Sequence, residues 1–355
     1  MSDQLSEDIK KILEYGIMAP SGENCQPWRF EVKNNQIHIF NIPERDQSPY
    51  NFRQRGSLIS HGALIENIII TSSSLGFKAE VHLFPENSNK NLVAIVSLEQ
   101  SLSQEEPLFY SITKRVTNRK PYSQTSLGAE QLTEILNSAT GIKNIKLLIT
   151  EDKKDIETLS LVGSLNERLV LENEILHNFL FNHINWTKEE NEKKKVGFYI
   201  KTLELPPPAR IAFKIFSYWN ILKRINRIGI SKMIWKQNGD VYASSAAIGV
   251  LVLEGISDED FVNIGKVTER VWLTVTKLGL SFQPMTGTFF FMQRILNQEY
   301  EPFSKDQVDL IKTAYANVQK IFKLNTGLVV MMFRIGRCNP PSARALRLKP
   351  EIIFK

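Results

Sequence analysis

Two short runs of the sequence carry side chains suited to binding a flat, phosphorylated ligand. The first, residues 19–28, reads APSGENCQPW and follows an apolar helical stretch. Two prolines prevent the helix from continuing, so the run predicts a rigid loop that offers N–H groups, a hydroxyl and amides to the edge of a heteroaromatic ring. The second, residues 115–119, reads RVTNR. Two arginines four residues apart at a helix start would share one face and could clamp a phosphate.

Each run taken alone has an ordinary explanation. A Pro-Ser-Gly-Glu-Asn segment is most often a simple turn, and two arginines at this spacing usually lie on a solvated helix face. The presence of both runs in one chain, and the order of the elements around them, favours the ligand site. Histidines show no metal-ligand spacing, so no metal site is predicted, and neither a nucleotide-binding glycine loop nor a nucleic-acid module occurs.

Composition limits the class of protein. The 355 residues are 42% hydrophobic and 23% charged with a net charge of +6, which is typical of a globular protein with a substantial core. Cys25 and Cys338 are too few for a disulfide framework, which fits a reducing compartment. With neither a secretory start nor an apolar run of about 18 residues, the sequence predicts a cytoplasmic protein without stable membrane insertion.

An internal repeat divides the chain into two related halves. Residues 62–76 and 265–279 align without a gap and share Gly, Glu, Thr, Leu and Gly at five positions. Each segment predicts a long, mostly buried helix that ends at a glycine, because Gly76 and Gly279 can adopt the left-handed conformation after the last turn. Two unrelated amphipathic helices with chance identities are the alternative.

The pattern of apolar residues places the other elements around these helices. In the first half, residues 1–105, it predicts a helix over 6–18, a hairpin about Asn34 and a strand pair over 79–85 and 91–98. In the second half, residues 106–355, it predicts helices over 129–138, 153–172 and 305–322 and strands over 145–150, 246–254 and 327–335.

An insertion-like region over about residues 173–239 interrupts the second half. It contains the charge run 188–195, three consecutive prolines at 206–208 and a stretch at 210–219 in which basic and aromatic residues alternate. We expect this stretch to pack against the body of the protein, with a membrane-surface segment as the alternative. The whole region could form a lid, or equally an extra helical layer without effect on a site.

Together the two runs resemble the flavin mononucleotide (FMN) site of the nitroreductase superfamily. In that family an R-x-S-x-R-type segment holds the phosphate and ribityl chain, and a P-S-x-x-N-type loop from the other polypeptide borders the isoalloxazine ring. Here the loop occurs only in the first half and the arginine pair only in the second half. This arrangement is similar to the tandem, Acg-like branch with two fused halves. The resemblance implies an α+β nitroreductase-like fold, a single-chain pseudo-dimer and one FMN per chain.

The resemblance also implies roles for individual residues. Around the ring it places Pro20, Ser21, Gly22 and Asn24 of the loop, together with Met285, Thr286 and Gly287, which follow the second repeat helix. Around the phosphate and ribityl chain it places Arg115, Thr117, Asn118, Arg119 and Arg337. Arg344 and Arg347 are the alternatives to Arg337, although that segment could equally be a solvated tail. Thr117 replaces the family's serine and keeps the hydroxyl. No side chain is expected to act as a catalytic acid.

The implied function is an FMN-dependent oxidoreductase in which NAD(P)H delivers electrons for reduction of a nitroaromatic, quinone or similar small-molecule acceptor. The alternative is an FMN storage or sequestration protein, with residues 173–239 as a lid over the flavin and little or no turnover. A biosynthetic oxidase acting on a peptide or azoline has the same fold and stays open. A pseudo-dimer predicts a monomer or a weak homodimer.

Overall fold

Two β-sheets, each flanked by helices, carry the two halves in a computed structural model that describes residues 3–355. The first half contains helices α1 (Asp3–Gly16) and α2 (Arg55–Ser74) and strands β1 (Trp28–Lys33), β2 (Gln36–Asn41), β3 (Phe77–Leu83) and β4 (Leu92–Gln100). The chain then adds α3 (Phe109–Ile112), α4 (Ala129–Ser138), β5 (Ile145–Thr150) and α5 (Lys153–Glu172). The fold is α+β.

The region over 173–239 is mainly helical. It consists of α6 (Glu174–Asn182), β6 (Ile184–Asn185), α7 (Lys188–Lys194), β7 (Phe198–Tyr199), α8 (Pro207–Phe216), α9 (Trp219–Ile225) and α10 (Ile230–Ala243). The rest of the second half comprises β8 (Ala247–Leu253), α11 (Asp258–Lys277), β9 (Ser281–Pro284), α12 (Gly287–Leu296), α13 (Lys305–Ile321), β10 (Leu328–Gly336) and β11 (Ile352–Phe354).

The strand order shows how the two halves are joined. The first sheet has the order β11-β1-β2-β4-β3, and the second has the order β5-β8-β10-β9 with antiparallel neighbours. The last strand, β11, therefore leaves the second half and pairs parallel with β1. An ion pair of 2.6 Å between Lys355 Nζ and Glu31 Oε2 fixes it there. The tail thus crosses the region between the two sheets.

The repeat helices α2 and α11 cross in direct backbone contact. A Cβ atom on Gly62 would overlap the carbonyl oxygen of Val262, and a Cβ atom on Gly265 would overlap that of Ile59. The glycines that the repeat aligns are therefore the residues that permit the crossing. The aligned Glu66 and Glu269 are both buried in this interface. The two halves thus pack together through their repeat helices, as expected for a pseudo-dimer.

Most of the predicted elements are present with similar bounds. Helices α4 and α5 and strand β5 begin and end at the predicted residues. The insertion agrees less well with the expectation that 210–219 packs against the body. Phe213 and Phe216 pack against the apolar cluster of the insertion, whereas Ile211, Ile215 and Tyr218 are exposed. Within residues 3–355, no helix is both long enough and apolar enough to cross a bilayer.

Candidate functional site

A cavity of about 120 Å³ lies where the first half, the second half and the insertion meet. Its walls are formed by Met18, Pro20, Ser21, Asn24, Arg115, Val116, Thr117, Arg119, Gly197, Phe198, Thr202, Ala343, Arg344, Ala345 and Arg347. The predicted loop and the predicted arginine segment thus contribute to the same cavity, although they are about 90 residues apart in the sequence. A more open surface depression beside Arg29 and Arg45 contains none of the predicted site residues.

The loop before β1 has a backbone conformation that is rare for residues other than glycine. Glu23, Asn24 and Gln26 have φ values of 44°, 57° and 52°, in the left-handed region. Such a backbone persists only where its surroundings fix it. The Asn24 amide nitrogen donates hydrogen bonds of 2.9 Å to the carbonyls of Lys195 and Leu346. The insertion and the carboxy-terminal tail therefore shape the loop.

Residues 115–119 are extended rather than helical. Helix α3 ends at Ile112, Thr117 forms a parallel bridge with Phe282, and the Asn118 N–H donates to the Phe282 carbonyl. β-Branched Val116 and Thr117 favour this conformation. Since side chains alternate in an extended segment, Arg115, Thr117 and Arg119 share the cavity side. Arg115 and Arg119 do lie on the same side of the segment, as predicted. They do so because side chains alternate along an extended segment, and not because the residues form a helical turn.

Asn118 is the one residue of 115–119 that does not line the cavity. Its amide nitrogen donates to Ser281 Oγ at 3.1 Å and to the Asn339 carbonyl at 2.9 Å. Fully buried Arg334 supports the segment from behind, with Nη2 donating to the Lys120 carbonyl at 2.8 Å. The Arg334 guanidinium also stacks 3.8 Å from the centre of the Tyr122 ring. In this structure Asn118 braces the arginine segment.

Three arginines cluster at one end of the cavity. Arg347 Nε donates to the Ile17 carbonyl at 2.9 Å, its Nη1 donates to Asn24 Oδ1 at 2.7 Å, and its Nη2 donates to the Met18 and Ala19 carbonyls. Arg344 Nη2 donates to the Arg115 carbonyl at 2.8 Å. Arg115 in turn donates to the Met18 carbonyl.

This cluster has an excess of positive charge. Within the described chain, the three arginines have one carboxylate within 4 Å, Glu269 at 3.0 Å from Arg115 Nε. Burial, with a smaller contribution from the positive charge of Arg115, lowers the pKa of Arg347 to about 9. Two positive charges thus stay uncompensated beside a cavity, which is the electrostatic requirement for binding a phosphate dianion.

Arg119 lies apart from this cluster and contacts the insertion. Its Nη1 donates to the Thr202 carbonyl at 3.0 Å, and its guanidinium carbon lies 5.8 Å from the centre of the Phe198 ring. No carboxylate of residues 3–355 pairs with it, and burial lowers its pKa. Arg119 therefore links the cavity to the segment that covers it.

Six predicted residues are not part of the cavity wall: Asn118, Gly22, and the four described next. Met285 is buried in the core of the second half, where its sulfur lies against Gly163. Thr286 and Gly287 begin helix α12, and Gly287 lies against Asn166. Arg337 is exposed, and its Nη2 donates to Gln131 Oε1 at 3.1 Å. Residues three apart on an extended strand face opposite ways, so Arg334 turns inward and Arg337 does not.

Arg344 and Arg347, the alternatives to Arg337, are the tail arginines that reach the cavity. Gly22 precedes the left-handed part of the loop and is exposed. The sequence offered one signal for the tail arginines, their three-residue spacing, but nothing in it showed that the tail returns to the first half. For all these residues, contact with a cofactor stays a prediction.

Two acidic groups that sequence reasoning did not select are Glu167, which interacts electrostatically with Arg119, and Glu23 of the loop. Burial raises the pKa of Glu167 to about 7, and its Oε1 accepts a hydrogen bond of 2.6 Å from the Tyr242 hydroxyl. Its Oε2 is buried and has no hydrogen-bond partner among residues 3–355. Burial, with a contribution from Asp46, raises the pKa of Glu23 to about 8. Tyr50 is electrostatically coupled to both carboxyl groups, so they belong to one region.

Comparison with known proteins shows what the chain is similar to. Residues 1–65 match the model of a family described as "Putative TM nitroreductase". Over these 65 residues the chain is similar to nitroreductases. The chain is 21% identical over 341 residues to an uncharacterized protein of Mycobacterium tuberculosis. That alignment covers 95% of this chain, and therefore both halves, but 46% of the relative.

Other similar proteins align over a shorter stretch of the chain or have a lower sequence identity. A "Putative NAD(P)H nitroreductase" of Mycobacterium tuberculosis is 26% identical over 120 residues, which is 33% of this chain and 35% of the relative. The chain thus spans half or less of the length of the curated relatives it matches. A solved nitroreductase with bound FMN from Desulfitobacterium hafniense is 10% identical, with coverage of 69% of this chain and 96% of that chain and a TM-score of 0.37. NfrA2 of B. megaterium is 12% identical, with coverage of 69% and 71% and a TM-score of 0.36.

Proposed function

We propose that the chain binds one FMN in the cavity between its halves and acts as an NAD(P)H-dependent oxidoreductase of the nitroreductase type. The observation that carries this proposal is the arginine cluster with two uncompensated positive charges directly beside the Pro-Ser loop. A ligand with a phosphate dianion at one end and a flat ring at the other matches both parts. The match of residues 1–65 to a nitroreductase family supports the same assignment.

The residues around the cavity fit such a ligand chemically. Arg115, Arg344 and Arg347 would hold the phosphate by charge-assisted hydrogen bonds. Pro20, Ser21 and Asn24 would border the ring, and the Thr117 hydroxyl is available to the ribityl chain. When bound, FMN would supply two-electron transfer between NAD(P)H and a nitroaromatic, quinone or similar acceptor.

Two features of the chain bear on proton exchange and on the access of water near this site. Glu167 and Glu23 do not line the cavity but adjoin two residues that do, Arg119 and Asn24, and burial raises the pKa of these carboxyls to about 7 and about 8. The insertion covers the cavity at Gly197, Phe198 and Thr202, which keeps water from that side.

The same cover favours a second candidate, an FMN storage protein with little or no turnover. The Gly197 N–H donates to the Glu23 carbonyl at 2.8 Å, and the Lys195 carbonyl accepts hydrogen bonds from Asn24 and Gln26. With the bond from Arg119 to Thr202, these contacts join the insertion to both parts of the predicted flavin site. A cover held in this way would restrict access to the ring.

Anaerobic reduction distinguishes the two candidates. The flavin-loaded full chain is mixed with NADPH and, separately, with NADH in the absence of oxygen, and the absorbance of the oxidised flavin is followed. Bleaching within seconds supports the oxidoreductase. A flavin that dithionite reduces but neither nicotinamide bleaches supports storage. A full chain that retains no FMN at all overturns both candidates.

A further inference from the structure

The positive charge of this protein is concentrated in one segment of the insertion. Residues 205–239 contain seven Lys or Arg residues and neither Asp nor Glu. Since the whole chain carries +6, the other 320 residues together carry −1. Helices α8, α9 and α10 therefore carry a strong excess of positive charge on an otherwise nearly neutral protein.

These cations have no carboxylate partner inside the described part of the protein. Within residues 3–355, none of the seven lies within 4 Å of a carboxylate, although thirteen ion pairs form elsewhere. Lys223, Arg224, Arg227, Lys232 and Lys236 are also exposed. Their charge is available to an external partner.

Large apolar side chains are exposed among the same cations. The segment contains six of the sixteen exposed large hydrophobic residues of the described chain within 23 positions: Ile211, Ile215, Tyr218, Ile221, Ile228 and Met233. Ile228 is 80% exposed and Ile211 is 66% exposed. Ile211 and Ile215 are four residues apart on α8 and share one face of the helix. This density exceeds the scattering of single apolar residues that is normal on a protein surface.

The opposite side of the segment is firmly attached to the protein. Leu222 of α9 is fully buried, and a hydrogen bond of 2.8 Å joins His177 Nε2 to the Phe216 carbonyl. On α10, Trp235 Nε1 donates to the Leu161 carbonyl at 2.8 Å. The inner side of the segment is therefore already packed and hydrogen-bonded to the protein, and the exposed isoleucines belong to an ordered surface.

The chemistry of this surface matches a lipid boundary. An interfacial helix combines cations for anionic headgroups with apolar side chains that enter the acyl boundary. A nucleic acid would use the cations but would leave the isoleucines in water. A second copy of the same surface would be repelled by its equal charge. We propose that α8, α9 and α10 dock the protein on an anionic phospholipid membrane, with Ile211, Ile215 and Ile228 entering the boundary and the lysines and arginines contacting headgroup phosphates.

Co-sedimentation with vesicles tests this proposal on the full chain, with or without FMN. We expect binding to vesicles of phosphatidylcholine with 30% phosphatidylglycerol, loss of binding to pure phosphatidylcholine, and loss in 0.5 M NaCl. Replacing Lys223 and Arg224 by glutamate reverses two charges, and the partition coefficient is expected to fall by at least roughly thirty-fold. Ile211→Ser with Ile228→Ser is expected to reduce it as well. All four residues are exposed, so folding is checked simply by circular dichroism.

Matched variants elsewhere on the surface provide the control. Lys143→Glu with Lys153→Glu makes the same change in net charge, and Leu102→Ser with Ile256→Ser removes two residues that are 86% and 72% exposed. These variants should bind vesicles like the unmodified chain. The proposal is overturned if anionic vesicles are not bound, if the controls weaken binding equally, or if the segment instead mediates self-association or binds duplex DNA alone.

Discussion

Replacing Arg344 or Arg337 by glutamine, one at a time, tests which of these two arginines binds the phosphate. Arg344 lies in the cavity wall, and its Nη2 is occupied by the Thr113 and Arg115 carbonyls. Its Nε and Nη1 have no hydrogen bond within the described chain and can contact a ligand. Arg337, which the sequence favoured, lies outside the cavity and contacts Gln131. The two assignments therefore predict opposite results for one pair of variants.

The expected effect follows from the type of contact. A charge-assisted hydrogen bond contributes about 1.5–3 kcal/mol. Because the Arg344 side chain is exposed, we expect the lower part of this range, about 1.5–2 kcal/mol, for its loss. The dissociation constant for FMN should then rise roughly 10- to 30-fold in Arg344→Gln. In Arg337→Gln it should change by less than about two-fold.

Titration of apoprotein with flavin, followed by quenching of flavin fluorescence, measures both constants. Riboflavin, which has the ring and ribityl chain without the phosphate, is the ligand control, and its affinity should be the same for both variants and the unmodified chain. The reasoning is refuted if Arg337→Gln weakens FMN as much as Arg344→Gln does. It is also refuted if Arg344→Gln weakens riboflavin and FMN equally, because the arginine would then not act on the phosphate.

Three further predictions concern the interior. Gly265→Val should lower the free energy of unfolding in urea by at least about 3 kcal/mol, because its side chain would meet the backbone of α2. Gly128→Ala, at an exposed position where a Cβ makes only ordinary contacts, should lower it by no more than about 1 kcal/mol. Equal losses in the two variants would contradict the close crossing of α2 and α11. Burial raises the pKa of Glu23 from 4.5 to about 8, so the folded state keeps a proton that the unfolded state releases. Stability should therefore fall by on the order of 3 kcal/mol as pH rises from 4.5 to 8, and urea titrations of Glu23→Gln should show a flatter profile; an unchanged slope would exclude this role. Glu269→Gln leaves a buried guanidinium unpaired and should cost about 3–5 kcal/mol in thermal or urea unfolding, whereas Glu7→Gln, in an exposed pair, should cost within about 1 kcal/mol.

The regular core was largely predictable because its signals are local. Runs of apolar residues marked β8 and β10, and apolar periodicity marked α5 and α11. The repeat also aligned Gly62 with Gly265, and these are the residues at which the two helices touch. The repeat was detectable in part because backbone contact between two buried helices requires glycine, and glycine is visible in a sequence.

The site was predictable only in part, because its contacts join distant parts of the chain. Arg347 and Asn24 are 323 positions apart, and no periodicity links them. The extended conformation of 115–119 depends on pairing with Phe282, so its side chains alternate where a helix was expected. Glu167 is one glutamate among many in the sequence, and only folding gives it an environment that raises its pKa to about 7. The insertion helices lack a repeat or motif that would have located them.

A crystal structure of the full chain grown with FMN tests the central claim most directly. The account predicts one flavin per chain in the cavity between the halves, with its phosphate in hydrogen-bonding distance of Arg344 and Arg347 and its ring beside Pro20 and Ser21. An empty cavity at saturating FMN, or a phosphate bound at Arg337 instead, would contradict it.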